Sequence, residues 1–128
     1  MAGKKFKILI VEDEPDIVEI YGFQLKNHGY GLEAVNDGQA ALIWLKKNTP
    51  DLVLLDLLIP EVNGYEFLDK IKSYPNRKKM LIYAWSNLTQ KKEIDLAIKK
   101  GADGFLIKSD YAPTKLAEEV KEILKNKK

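Results

Sequence analysis

Glu12, Asp13, Asp56 and Lys108 are the residues of this 128-residue chain whose types and placement suit them to chemistry together. Each stands at the end of an apolar run. Phe6 to Val11 (F-K-I-L-I-V) leads into Glu12-Asp13, Asp51 to Leu55 (D-L-V-L-L) into Asp56, and Gly104 to Ile107 (G-F-L-I) into Lys108. Such runs read as strands of a parallel sheet covered on both faces. In an open α/β sheet, ligands bind in the crevice beyond the strands' carboxyl ends. The four side chains should therefore converge, although up to 96 positions separate them. Three carboxylates in one crevice repel each other unless a cation neutralises them. As hard oxygen donors they suit Mg2+, and Mn2+ as well. A lysine supplies a point charge for a phosphoryl oxygen, and a carboxylate can attack phosphorus directly, which makes Asp56 a candidate nucleophile. Plainer roles exist for the same residues. Asp56 could be a loop or capping aspartate, and Glu12, Asp13, Glu14 and Asp16 also favour a helix N-terminus.

The elements that must position these residues alternate strictly. Strands are expected at 6–11 (β1), 31–35 (β2), 51–55 (β3), 80–85 (β4) and 104–107 (β5). Helices are expected at 15–28 (α1), 38–48 (α2), 64–74 (α3), 89–100 (α4) and 112–126 (α5). Pro15 and Pro113 suit first helical turns. Asp37 and Thr89 are plausible N-caps, and Asn63 with Glu66 reads as a capping box. Gly29 and Gly101 stand where helix C-caps belong. In the last helix Leu116, Val120, Ile123 and Leu124 share one face, spaced for a buried stripe. Strict βα alternation over this length predicts an α/β, doubly wound fold, a five-stranded parallel sheet with helices on both faces.

Composition narrows the function. The length fits one domain, 1–128, with a single core. Hydrophobic content of 45% and charged content of 31% are ordinary for a globular protein. No apolar run approaches the roughly 20 residues of a membrane span, and no signal peptide is seen. With no cysteine there is no disulfide framework or thiol chemistry. These features suit a cytoplasmic protein. A net charge of +2 argues against direct nucleic-acid binding by this domain. Lys121, Lys125, Lys127 and Lys128 read as a solvated helix end. His28, the only histidine, reads as a surface residue at a helix end. The chain stops where the fifth helix ends, so no effector domain is expected.

Four stretches together resemble the response-regulator receiver domain, the CheY-like phosphoacceptor module of two-component signalling. They are I-L-I-V-E-D-E (8–14), D-L-V-L-L-D-L-L-I-P-E-V-N-G-Y-E (51–66), Y-A-W-S (83–86) and G-A-D-G-F-L-I-K (101–108). The resemblance covers nearly the whole chain and implies the flavodoxin-like strand order 2-1-3-4-5. It implies that Asp56, with Pro60 and Gly64 following, accepts a phosphoryl group from a histidine kinase or phosphotransfer protein. Asp13, Asp56 and the backbone carbonyl of Leu58 would hold Mg2+, with Glu12 acting through water. Lys108 would pair with Asp56 before phosphorylation and with the phosphoryl group afterwards. Ser86, 30 positions after Asp56, and the aromatic Phe105 would form the switch, and the α4-β5-α5 face would change its protein binding. Such a domain catalyses its own phosphotransfer and dephosphorylation without being a turnover enzyme.

Two positions depart from the family pattern. Ser109 follows Lys108 where the family commonly has proline in a cis bond. A cis bond to a non-proline residue costs about 3 kcal/mol, so a trans bond and a rerouted loop are expected. Asn87 stands where the family usually has a small residue. With Leu58, which cannot hydrogen-bond water through its side chain, it should restrict water's access to the phosphate and slow autodephosphorylation. The alternative is a receiver-like module that binds without phosphorylation. A haloacid-dehalogenase type phosphatase would want an aspartate at Leu58, and a flavodoxin would want a hydroxyl-rich loop after the first strand.

Overall fold

The computed structural model describes residues 5–59 and 61–126. Pro60, Lys127 and Lys128 lie outside the described residues. The elements run β1 (Lys7–Val11), α1 (Pro15–Asn27), β2 (Gly31–Val35), α2 (Gly38–Leu45), β3 (Leu52–Leu55), α3 (Gly64–Ile71), β4 (Leu81–Ser86), α4 (Lys91–Lys99), β5 (Gly104–Ile107) and α5 (Pro113–Lys125). Short 3-10 turns occupy Arg77–Lys79 and Lys108–Asp110. All strands pair in parallel, in the order β2-β1-β3-β4-β5.

Side chains alternate across a strand, and here both faces are covered. Ile8, Ile10, Leu52, Leu54 and Trp85 pack under α1 and α5. Leu9, Val11, Val53, Leu55 and Ala84 pack under α2, α3 and α4. Every residue of β3 is buried, which explains its uninterrupted apolar sequence.

The expected helix starts are found at Pro15, Gly38, Gly64 and Pro113. Asp37 accepts from the Ala40 N–H at 2.6 Å, and Asn63 and Glu66 form the reciprocal capping box. Gly29 and Gly101 have φ of 89° and 112°, as left-handed helix ends require. Thr89 is not the cap of α4. Gln90 is, and its N–H donates to Glu93 Oε1 at 3.3 Å.

The helix ends came out shorter than expected. α2 stops at Leu45 rather than 48, and its last carbonyls are met by local bonds, Asn48 Nδ2 to the Trp44 carbonyl at 2.9 Å among them, and by distant ones. Asn76 Nδ2 donates to the carbonyls of Leu45 and Asn48, each at 3.1 Å, and Tyr74 Oη donates to that of Leu42 at 3.1 Å. α3 ends at Ile71 rather than 74, where Ser73 Oγ donates to the Lys70 carbonyl at 3.2 Å and the Tyr74 N–H to that of Ile71 at 3.0 Å. β4 continues one residue further than expected, to Ser86, which pairs with Ile107.

Candidate functional site

Strand register places the acids. Val11 lies beside Leu55 in the β1–β3 ladder, so Glu12 and Asp56 leave the sheet side by side. The Glu12 N–H donates to the Val35 carbonyl and the Asp56 N–H to the Val11 carbonyl, both at 3.0 Å. These bonds hold both backbones one step past the strand ends. Gly64 supports the acceptor loop from below. Its N–H donates to the Leu57 carbonyl at 3.1 Å, and a Cβ there would lie 2.5 Å from Leu57 Cα.

Glu12, Asp13 and Asp56 each present a carboxylate oxygen, all within 4.8 Å of one another. Glu12 and Asp56 are buried, and Asp13 is exposed. Lys108 Nζ lies 3.1 Å from Asp56 Oδ2 and is also ion-paired with Glu12. Asp56 Oδ1 accepts from the Leu58 N–H at 3.0 Å, and Glu12 Oε2 from the Glu14 N–H at 3.2 Å. Burial pushes the Glu12 carboxyl above its ordinary pKa. The hydrogen bond and charge of Lys108 oppose that shift, and the Asp56 charge adds to it. For Lys108, burial works to lower the pKa, but the Glu12 hydrogen bond and the two carboxylate charges outweigh it. The ammonium is held above its ordinary value. Lys108 therefore stays charged while two carboxylates compete for it.

One ammonium cannot balance three carboxylates. The remaining negative charge and an all-oxygen donor set with one exposed member fit a hard divalent cation. Asp13 also lines an open cleft of about 610 Å3 with Glu12, Pro15, Val18 and Asn36. That cleft lies to one side of Asp56 and Lys108, which do not line it.

The other expected residues fall around this centre. Ser86 is buried, and its Oγ accepts from the Leu88 N–H at 3.4 Å. Phe105 is half-buried and packs with Leu88 and Tyr65 against the α2-α3-α4 side of the core. Leu58 is 64% exposed beside Asp56. Asn87 is exposed, and its Oδ1 accepts from the Ser109 N–H at 2.8 Å. The Lys108–Ser109 peptide is trans, since no described bond is cis. His28 is an exposed helix-end residue, its Nδ1 2.9 Å from the Gln24 carbonyl oxygen.

Sequence reasoning missed three contacts. The first is the direct pairing of Glu12 with Lys108. The second is Trp85, buried under the site with its ring 6.0 Å from Lys108 Nζ and edge-on to Tyr21. The third is Tyr21 itself, whose Oη donates to the Tyr111 carbonyl at 2.7 Å and ties α1 to the loop after β5. An aromatic at the next-to-last position of an inner strand was the available signal for Trp85. Nothing local marked the other two.

The response regulator receiver domain matches residues 8–121 of the chain. The chain belongs to that family. Receiver domains are phosphorylation-activated switches of two-component signalling, work with histidine kinases or phosphotransfer proteins, and generally bind Mg2+ at an acidic pocket. Two regulators illustrate the likeness. The alkaline phosphatase synthesis transcriptional regulatory protein PhoP of Bacillus subtilis is 33% identical over 122 residues, covering 93% of this chain and 48% of PhoP. The gliding motility regulatory protein of Myxococcus xanthus is 28% identical over 119 residues, covering 93% of this chain but 15% of that protein. The receiver thus spans half or less of these curated relatives. Among solved structures, the chemotaxis response regulator CheY4 of Vibrio cholerae superposes with a TM-score of 0.87 at 26% identity, covering 94% of this chain and all of that one. The signal receiver domain of a histidine kinase from Syntrophus aciditrophicus gives 0.82 at 32% identity, covering 94% and 90%. Among the described residues, no helix of this receiver is long and apolar enough to cross a membrane.

Proposed function

We propose that Asp56 of this receiver takes a phosphoryl group from the phosphohistidine of a histidine kinase or phosphotransfer protein. The observation that carries the proposal is the convergence of Asp56, Lys108, Glu12 and Asp13 at the carboxyl edge of the sheet. An Asp56 carboxylate oxygen attacks phosphorus as the phosphorus–nitrogen bond breaks, and the electron pair returns to the imidazole. The product is an aspartyl phosphate. Asp13, Asp56 and the Leu58 carbonyl would hold Mg2+ directly, with Glu12 acting through water. That ion, when bound, offsets the charge on the phosphoryl oxygens. Lys108 leaves Asp56 for a phosphoryl oxygen, and the Ser86 hydroxyl donates to another, drawing its loop inward. Phe105 follows, and the α4-β5-α5 face changes its affinity for a protein partner. Loss of the phosphate resets the switch by the chain's own catalysis, so this is signalling rather than metabolic turnover.

We read residues 1–128 as one cytoplasmic receiver domain. The names of some relatives point to transcription, but the chain spans about half of those proteins. The net charge of +2 gives this domain no case for a direct nucleic-acid contact.

Intact-mass measurement after incubation with acetyl phosphate and Mg2+, beside Asp56→Asn, tests the proposal. One added phosphoryl group on the wild type and none on the variant is the expected result. No added mass, with a donor kinase present as well, would overturn it in favour of a module that works by binding alone.

A further inference from the structure

The two positions at which this chain departs from the receiver pattern are bonded to each other. Asn87 Oδ1 accepts the Ser109 N–H at 2.8 Å, a donor that a proline at 109 would lack. Register explains the meeting. The last β4–β5 rung joins Ser86 to Ile107, so Asn87 and Lys108 leave the sheet together. The Asn87 side chain then continues the ladder one step beyond the backbone. Lys108 opens the 3-10 turn Lys108–Asp110. A following proline disfavours helical backbone in the residue before it, so Ser109 suits this turn in a way proline does not. The turn is held at its other end by the Tyr21 hydroxyl on the Tyr111 carbonyl.

We propose that Asn87 is a positioning residue for Lys108. Its side-chain carbonyl fixes the turn from which the ammonium reaches into the site, replacing the stiffness that a lysine-proline pair would give. The role belongs to the acceptor oxygen, whereas restriction of water belongs to the bulk of the side chain, so the two can be separated. Leucine has nearly the shape of asparagine and no acceptor; alanine lacks both. The inference rests on Lys108 holding the phosphoryl group as described above.

Beryllofluoride with Mg2+ is a stable stand-in for the phosphoryl group, and its equilibrium affinity, read by 19F NMR, does not depend on water access. Asn87→Leu and Asn87→Ala should each weaken binding by about three- to tenfold, the effect of one hydrogen bond. In a Lys108→Ala background, Asn87→Leu should weaken it no further. Thermal melts of the apo proteins check that each variant is folded. Wild-type affinity in Asn87→Leu would overturn the inference. So would a large gap between the leucine and alanine variants, or an undiminished effect of Asn87→Leu without Lys108. Failure of the wild type to bind beryllofluoride would overturn the acceptor reading itself.

Discussion

Lys108 is ion-paired with Glu12, a carboxylate whose side chain has no exposure to solvent and which lies 96 positions away in sequence. The same ammonium also meets Asp56 at 3.1 Å. Removing one partner of a buried pair leaves an uncompensated charge, which costs about 3–5 kcal/mol. Lys108→Met should therefore destabilise the metal-free protein by an amount of that order in urea unfolding. Adding Glu12→Gln to that variant should recover much of the loss. Additive losses in the double variant would show that the pair is not coupled.

Glu12 also sets a pH dependence. Its pKa is raised above the ordinary 4.5, first by burial. A folded state that holds a proton more tightly gains stability at low pH, in full below 4.5. It loses that gain as pH rises through the higher folded value. The wild type should thus lose thermal stability relative to Glu12→Gln as pH rises from about 4.5 toward neutrality. Mg2+ should reverse the trend, because it needs the ionised carboxylates. A wild-type advantage over Glu12→Gln that grew with pH in the absence of metal would contradict the sign.

Gly64 tests how closely the acceptor loop is packed. A Cβ at this position would meet Leu57 Cα at 2.5 Å and the Asp56 carbonyl oxygen at 3.0 Å, and backbone atoms cannot swing aside. Gly64→Ala should cost about 1–3 kcal/mol and also slow phosphoryl uptake, since the displaced residues carry the acceptor. Gly29→Ala is the control. It strains a left-handed helix end, φ 89°, with nothing within 4 Å of the new methyl. It should lower stability while leaving phosphorylation by acetyl phosphate unchanged.

Phosphate lifetime should depend on the bulk at position 87. The exposed Asn87 side chain follows Ser86 at the end of β4, and Leu58 offers water no hydrogen-bonding side chain. Asn87→Ala should shorten the lifetime severalfold, with Asn87→Leu close to wild type. Radiolabel decay from the purified phosphoprotein measures both. Equal lifetimes in all three would remove the steric argument.

The acids and the lysine were legible because strands announce themselves by uninterrupted apolar runs, and a parallel α/β sheet gathers its strand ends at one edge. Four helix starts, though not that of α4, were legible for a similar reason: Asp37, Asn63 and the two prolines act within a few residues of themselves. The end of α2 was not. Asn76, 31 residues on from Leu45, donates to its carbonyl, and no local pattern carries that contact. The Asn87–Ser109 bond was hidden the same way. Each residue was visible as a departure, but only the β4–β5 register shows that the two departures share one hydrogen bond.

Trp85 offers a reporter of the switch. Its ring is buried beneath the site, 6.0 Å from Lys108 Nζ and 5.1 Å from the Tyr21 ring in an edge-on arrangement. A nearby ammonium perturbs an indole through its charge, so indole emission should change when Lys108 shifts toward a phosphoryl oxygen. The other indole, Trp44, packs at the α2-α3-α4 side of the core, in the cluster on the opposite face of the sheet from that of Trp85. Phosphorylation should therefore change the emission of Trp44→Phe as it does the wild type, and leave Trp85→Phe nearly unchanged. The change should be largely absent in Lys108→Ala. If Lys108→Ala gave the full signal on beryllofluoride binding, the indole would be sensing movement of the β4–α4 loop rather than of the lysine.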